Sequence, residues 1–317
     1  MPMENRKSFT KKILNVSLIL LVVSLCGLTV YGVIWVRQYQ ALVDEESDIV
    51  LSPNVVELTY CTINGSPLKL DLYFPIDTQT PWQVLVYVHG GSFTSGDKRK
   101  GSGIIDIPAM IARGFAVAAI NYRLMPDHPF PAEIIDAKCA IRFLRAHASE
   151  YNLRTEKIGI WGGSAGGHLV AMVGLTNDDT AFDSGEYLDQ SSKVDAVVEM
   201  FGPSDLTAPM GWLQRLLLRR AFGTDSSNDK RLIEASPVQY VGHSAPPFLI
   251  LHGDQDRAVP VGQAQELYQK LQEAGSDAFL VIVENANHNF KPTGGPIQPT
   301  REEISTIMAN FFDLWLK

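Results

Sequence analysis

An α/β fold built on a mainly parallel sheet is predicted by three observations. From residue 55 to the C-terminus, short strand-like runs alternate with helical stretches, and such alternation gives a sheet covered by helices on both faces. Residues 84–88 are continuously apolar, as strands buried on both faces are. Glycine-rich turns stand directly after several of these runs, where α/β sheets carry their ligand sites.

The elements follow in order. Residues 55–60 and 68–74 are β-rich and flank Asn64-Gly65-Ser66-Pro67, a turn signal, so they read as a hairpin at the sheet edge. Strand 84–88 is followed by a helical stretch near 105–113, then Gly114 and strand 116–120. Pro131 opens a long amphipathic helix reaching about residue 149, with Ile134, Ile135, Ala137, Ile141, Phe143 and Leu144 on its apolar set. Strand 157–161 leads into helix 165–175, and strand 194–201 follows. Strand 248–252, helix 262–274, strand 278–283 and helix 301–316 complete an eight-stranded sheet. Residues 203–246 break the alternation with a helical piece at 212–222 and a polar loop. This small insertion is expected over one end of the sheet, as a lid or pocket wall.

The first forty residues read differently. Residues 13–36 are 24 positions without a charge, about 36 Å as a helix against a hydrocarbon core of roughly 30 Å. Arg6, Lys7, Lys11 and Lys12 precede the run, and Asp44, Glu45, Glu46 and Asp48 follow it. The positive-inside rule then keeps the N-terminus in the cytoplasm and exports the rest. A cleaved signal peptide is the rival, but its apolar region is usually about 7–15 residues and ends at small residues; Val30-Tyr31-Gly32 is a poor cleavage site. Leu25 before Cys26 is too large for ordinary lipoprotein processing. The expected organisation is therefore a cytoplasmic tail and transmembrane signal-anchor over 1–40, a polar tether over 41–54 and a catalytic domain over 55–317.

Composition narrows the function classes. The chain of 317 residues has a formal net charge of −8, and its first forty residues hold five Lys/Arg and one Glu, leaving 22 positive and 34 negative side chains, or −12, for the remainder. An acidic domain argues against nucleic acid as partner, since phosphate binding needs basic patches. Three cysteines, Cys26, Cys61 and Cys139, include no CxxC pair, which excludes a thiol redox motif or zinc ribbon and allows at most one disulfide after residue 40.

Four segments carry chemistry, each at a strand end. Gly162-Gly163-Ser164-Ala165-Gly166 is a G-x-S-x-G turn between strand and helix. Such a turn exposes the serine Oγ, and the Ala165 N–H at the helix start is aimed at an oxyanion. The bare pattern is weak, arising in roughly one chain in ten at ordinary Gly and Ser frequencies; the flanking strand and helix give it weight. His89-Gly90-Gly91-Ser92-Phe93 follows strand 84–88, and the N–H groups of Gly91 and Ser92 are the further oxyanion donors. His89 itself reads as a loop-holding residue. After strand 248–252 stand two acids: Asp254 suits fixing the turn, and Asp256, further out, is preferred as the residue that orients a histidine. Asn287-His288-Asn289-Phe290 follows the last strand, and His288 is the base, since imidazole has a reference pKa near 6.5. His128, His147, His168, His243 and His252 do not combine a post-strand position with the last place in a Ser…Asp…His order, and His168 is expected to face away from the site.

The order Ser164, Asp256, His288 is that of α/β-hydrolases and not of the chymotrypsin or subtilisin folds. With HGGSF, NYRL followed by Phe130-Pro131-Ala132, GGSAGGHL, HGDQDRAVP and NHNF, the chain from about residue 55 onward resembles the esterase/lipase superfamily of α/β-hydrolases. Within it, the chain resembles the bifunctional feruloyl/acetyl-xylan esterases and the hormone-sensitive-lipase-like carboxylesterases. Ser92 replaces a glycine common in the lipase-like group, which favours the former. The resemblance implies a serine carboxylesterase that needs no cofactor or metal, acting on short-chain or carbohydrate-linked acyl esters, with lipid esters also in reach of an anchored enzyme. An amidase, formamidase or peptidase on the same fold, or an idle membrane-tethered binding protein, are the alternatives. Oligomeric state is not encoded in these motifs.

The N-terminal reading has a direct test. Sequencing of the protein in the membrane fraction is expected to find an N-terminus before Ile13, and external protease on intact cells should cut the 41–54 tether and release active enzyme. Soluble enzyme beginning after Gly32 identifies a cleaved signal instead, and activity confined to the cytoplasm reverses the topology.

Overall fold

The strands are β1 (Val55–Ile63), β2 (Ser66–Tyr73), β3 (Trp82–Val88), β4 (Ala116–Ile120), β5 (Leu153–Gly163), β6 (Ala196–Met200), β7 (Phe248–Gly253) and β8 (Ala278–Val283). The helices are α1 (Ile107–Ala112), α2 (Ala132–Ala146), α3 (Ala165–Leu175), α4 (Trp212–Phe222), α5 (Lys230–Glu234), α6 (Gly262–Glu273) and α7 (Arg301–Leu316). The computed structural model describes residues 54–76, 80–209 and 211–317. The anchor expected at 13–36 and the tether expected at 41–54, Asn54 apart, lie outside the described residues. Among the described residues no helix is long and apolar enough to cross a membrane.

All eight strands join one sheet in the order β1-β2-β4-β3-β5-β6-β7-β8. The β1–β2 hairpin and the β2–β4 pair are antiparallel, and every other pair is parallel. Alternation along β3 splits the core in two. Val84, Val86 and Val88 join α2, α3 and α6 on one face, while Leu85 and Tyr87 join α1 and α7 on the other. A period of two sends successive side chains to opposite faces, so an uninterrupted apolar run is what a doubly covered strand requires.

Several strand bounds differ from the sequence reading, and two of the differences have identifiable reasons. The β5 strand begins at Leu153, four residues early, because Leu153 and Arg154 pair with Trp82 and Gln83 of β3. The β6 strand begins late, at Ala196. The Asn177 side chain takes both backbone groups of Val194, accepting from its N–H at 3.0 Å and donating to its carbonyl at 2.8 Å, so Val194 has nothing left for the ladder.

Three contacts hold the strand ends where the site forms. A disulfide joins Cys61 on β1 to Cys139 on α2, with Cα atoms 6.5 Å apart. Arg123 pairs with Asp136 of α2 at 2.7 Å, pinning the segment after β4 to that helix. The Tyr122 hydroxyl donates to the His89 carbonyl at 2.9 Å, and its ring stacks on the His89 ring at 4.2 Å. The residues between β6 and β7 carry α4 and α5. Leu218, Ala221 and Phe222 of α4 form a third apolar cluster with Phe93, Met125 and Ala165, so the insertion packs directly against the glycine-rich loops.

Glu133, in the first turn of α2, is 1% exposed, and burial pushes its carboxyl up to about 8. The unfolded chain ionises this group near pH 4.3 while the folded one stays neutral, so native stability conferred by the raised value is complete below that pH and is lost as pH rises toward 8. Glu133→Gln is expected to remove a decline of up to about 1.4 kcal/mol per pH unit across that window. Urea midpoints measured from pH 4.5 to pH 8 check this; a variant whose midpoints track wild type throughout contradicts it.

Candidate active site

Ser164 stands between β5 and α3 with φ 58° and ψ −123°. A non-glycine residue in this region costs on the order of 1–3 kcal/mol and persists only where its surroundings impose it. Here they do. The Ser164 N–H is held by the Met200 carbonyl of β6 at 2.9 Å, and the Ser164 carbonyl already accepts from His168 in the first turn of α3 at 3.0 Å. Close approach does the rest: a Cβ on Gly166 would run into the Val88 carbonyl, and one on Gly162 would lie 2.6 Å from the same oxygen. The end of β3 and the start of α3 therefore touch backbone to backbone.

His288 opens a short 3-10 turn, 288–290, after β8. Its Nε2 is 2.9 Å from Ser164 Oγ, placed to accept the hydroxyl proton, and its Nδ1–H donates to Asp256 Oδ2 at 2.7 Å. The second oxygen of Asp256 accepts the N–H groups of Ala258 and Val259, each at 2.8 Å. Burial would raise this carboxyl; the charge of His288 and the hydrogen bonds from His252 and His288 outweigh it and hold Asp256 below the usual carboxylate range. All three side chains are buried, Ser164 at 6% exposure and His288 at 1%, so they meet in a medium that strengthens charge-assisted bonds.

The loop after β3 presents its donors through a rule of peptide geometry. In a trans peptide the carbonyl and the following N–H point opposite ways. The Gly90 carbonyl is taken by His89 Nδ1 at 2.8 Å. The Gly91 carbonyl is taken by Thr94 and Ser95 N–H at 3.1 and 3.0 Å and by Ser95 Oγ at 2.9 Å. The N–H groups of Gly91 and Ser92 are thereby both turned away from the loop's own bonds. Gly91 has φ 131° and no room for a Cβ against Ser95; Ser92 and Phe93 also have positive φ, 53° and 65°. Ala165 contributes the third N–H, as the first residue of α3 with its helix dipole behind it. His89 is fully buried and its ring is pushed down to about 4 by burial, so it stays neutral and acts as a donor to the loop.

The two competing aspartates separate cleanly. Asp254 is exposed and its Oδ1 accepts the Ala286 N–H at 3.1 Å, tying the β7 loop to the β8 loop; Asp256 alone reaches His288. Asn287, quoted in the sequence only as part of a motif, has a positioning role. Its Oδ1 accepts from His288 N at 2.8 Å and from Arg257 N at 3.1 Å, bridging the base and the acid loop. No spacing signal announces it. His168 is buried edge-on to Phe93 at 5.0 Å and bonds the Pro203 carbonyl at 2.9 Å, in keeping with its expected place outside the Ser164–His288–Asp256 chain. His147 and His243 bond backbone carbonyls within or beside helices, and His128 is exposed. His252 lies beside Asp256, with Nε2 3.5 Å from Oδ2. No group of three or more His, Cys, Asp or Glu suited to a metal ion occurs among the described residues.

The BD-FAE family model matches residues 70–271. Esterase LipC of Mycobacterium tuberculosis is 32% identical over 250 residues, covering 75% of this chain and 61% of that protein. The probable carboxylic ester hydrolase LipM of the same organism is 36% identical over 205 residues, covering 62% and 46%. The chain thus spans about half to three-fifths of the length of these curated relatives. Among solved structures, a bifunctional GH43-CE protein of Bacteroides eggerthii superposes with a TM-score of 0.72 at 30% identity over 84% of this chain and 36% of that one. Esterase 2 of Thermogutta terrifontis, with propionate bound, superposes with a TM-score of 0.67 at 26% identity, covering 83% and 94%.

Reactivity of Ser164 toward a fluorophosphonate probe distinguishes the two acids. Asp256→Asn is expected to slow labelling by several orders of magnitude, because His288 loses its tautomer and its imidazolium partner. Asp254→Asn should lower the melting temperature and leave most of the labelling rate. The reverse pattern would sink the assignment.

Proposed function

Since this chain belongs to the BD-FAE family within the α/β-hydrolase fold, we propose that it is a carboxylic ester hydrolase working through an acyl-enzyme on Ser164. The observation that carries the reading is the unbroken chain of hydrogen bonds from Ser164 Oγ through His288 to Asp256. His288 Nε2 takes the serine proton as Oγ attacks the ester carbonyl. The N–H groups of Gly91, Ser92 and Ala165 receive the oxyanion that forms. The same imidazolium then protonates the leaving alcohol, and water, activated by His288 in turn, frees the acid. Asp256 keeps Nδ1 protonated throughout and stabilises the transient charge.

The substrate proposed is a short-chain or carbohydrate-linked acyl ester. Phe93, Leu218 and Phe222 share one apolar cluster with Ala165, which supports a small acyl group beside the nucleophile. The likeness to esterase LipC of Mycobacterium tuberculosis and to a truncated carbohydrate esterase from gut microbiota is in keeping with this class. The domain is further proposed to act outside the cytoplasm behind its N-terminal anchor. Support comes from the uncharged run 13–36 with its flanking charges and from the Cys61–Cys139 disulfide, a bond typical of oxidising compartments.

Ser164→Ala is expected to lower kcat on p-nitrophenyl acetate by three or more powers of ten with an unchanged circular dichroism spectrum. Retention of a tenth of the activity would remove Ser164 as nucleophile. With the wild type, kcat/KM should fall as p-nitrophenyl acyl chains lengthen from two to twelve carbons, and a p-nitroanilide should be a poor substrate; faster anilide than ester cleavage would make the protein an amidase.

A further inference from the structure

A second imidazole meets the carboxylate that orients the first. His252, near the end of β7, is fully buried. Its Nε2 is 2.9 Å from the Val259 carbonyl. A carbonyl only accepts, so Nε2 carries a proton and points it toward the loop that holds Asp256. The same nitrogen lies 3.5 Å from Asp256 Oδ2, the oxygen that His288 uses. Two imidazole rings therefore face one carboxylate oxygen from opposite loops.

The far side of the His252 ring is also informative. Its Nδ1 is buried with no hydrogen-bond partner among the described residues. Nearby, Glu199 of β6 pairs in register with Ile250 of β7, and a period of two puts Ile250 and His252 on the same face. Glu199 is 1% exposed. Its Oε1 accepts from Gly202 N–H, while Oε2 is buried and unpartnered among the described residues. The ionisable groups acting on His252 are thus Asp256, in the loop after β7, and Glu199 from the neighbouring strand. Burial opposes charge on His252, but the hydrogen bond and charge of Asp256, with that of Glu199, prevail and raise it above the usual histidine value. Burial also pushes the Glu199 carboxyl up to about 7.

We propose that His252 is a positioning residue of the triad: its Nε2–H shares Asp256 Oδ2 with His288 Nδ1 and, through that shared oxygen, sets the acidic limb of turnover. The physical reason is competition. A carboxylate that already faces one cation gives less to a second, so removing the charge of His252 returns the whole of Asp256 Oδ2 to the triad and moves that limb up. This inference rests on the ester-hydrolase reading of the site and adds a determinant of its pH range.

The full-length chain tests it through the acidic limb of kcat/KM against pH, with p-nitrophenyl acetate as substrate. His252→Gln keeps an amide donor toward Val259 but cannot be charged. Its limb is expected to move up by on the order of one pH unit, the size of a nearby-charge effect. A purely structural histidine would lower activity at every pH and leave the limb in place, and that result overturns the proposal. His252→Asn is the second variant, with the same expectation. Should neither fold, ring-carbon NMR of 13C-histidine-labelled wild type reads the charge directly: His252 should be an imidazolium at pH 6, and a ring neutral from pH 5 to pH 8 overturns the proposal. Ser164→Ala separates the two levels. An unmoved limb in an enzyme that Ser164→Ala silences removes the role of His252 alone, whereas activity surviving Ser164→Ala removes the ester-hydrolase reading.

Discussion

The Val88 carbonyl meets the backbone of Gly166 at a distance that leaves no space for a side chain. This approach of β3 to the start of α3 sets the geometry of the whole site. It forces the tight turn that gives Ser164 its positive φ, and it brings the loop after β3 beside the helix start. Gly90 is part of the same contact, since a Cβ there would lie 2.8 Å from the Gly163 carbonyl. The glycine-rich loop after β3 and the Ser164 turn are consequently one packed unit. The strain at Ser164 is held by the β6 bond to its N–H and by the first turn of α3.

The other half of the site is assembled from two loops that would be mobile if left alone. Asp254 ties the β7 loop to Ala286, the Gln255 N–H is held by the Ala286 carbonyl at 3.0 Å, and Asn287 bridges Arg257 and His288. One of these bonds is backbone to backbone and the others join backbone to short polar side chains, which fix position without adding length. Their effect is that Asp256 and His288 sit in hydrogen-bond contact at 2.7 Å before any substrate arrives. Preorganisation of this kind removes reorganisation from the moment of reaction.

Electrostatics divides the histidines by role. His89 and His168 are each pushed down to about 4 by burial and are neutral supports for backbone carbonyls. His252 is equally buried yet raised, because two carboxyl groups act on it. The insertion adds a different constraint. Packing of α4 against Phe93 and Ala165 makes it a wall of the site, so its apolar face is set by the loop beneath it as much as by its own helical period.

Legibility in the sequence followed the range of the interaction. The strand–helix alternation, the hairpin, the bounds of the helices at 165–175, 212–222 and 301–316, and the serine turn depend on period, capping and glycine placement, all local properties. The chain order of serine, acid and base was readable for the same reason, since each lies just beyond a recognisable strand. What folding alone decided are meetings between distant residues. Ser164 and His288 are 124 positions apart, and the distinction between Asp254 and Asp256 depends on which one reaches the His288 ring rather than the Ala286 backbone. The early start of β5 came from pairing with Trp82, and the late start of β6 from the grip of Asn177 on Val194. The inward packing of His168, the bridging by Asn287 and the contact of His252 with Asp256 have no periodic or compositional trace. A hydrogen bond across two loops depends on where the sheet delivers their ends, and that position is a property of the assembled fold.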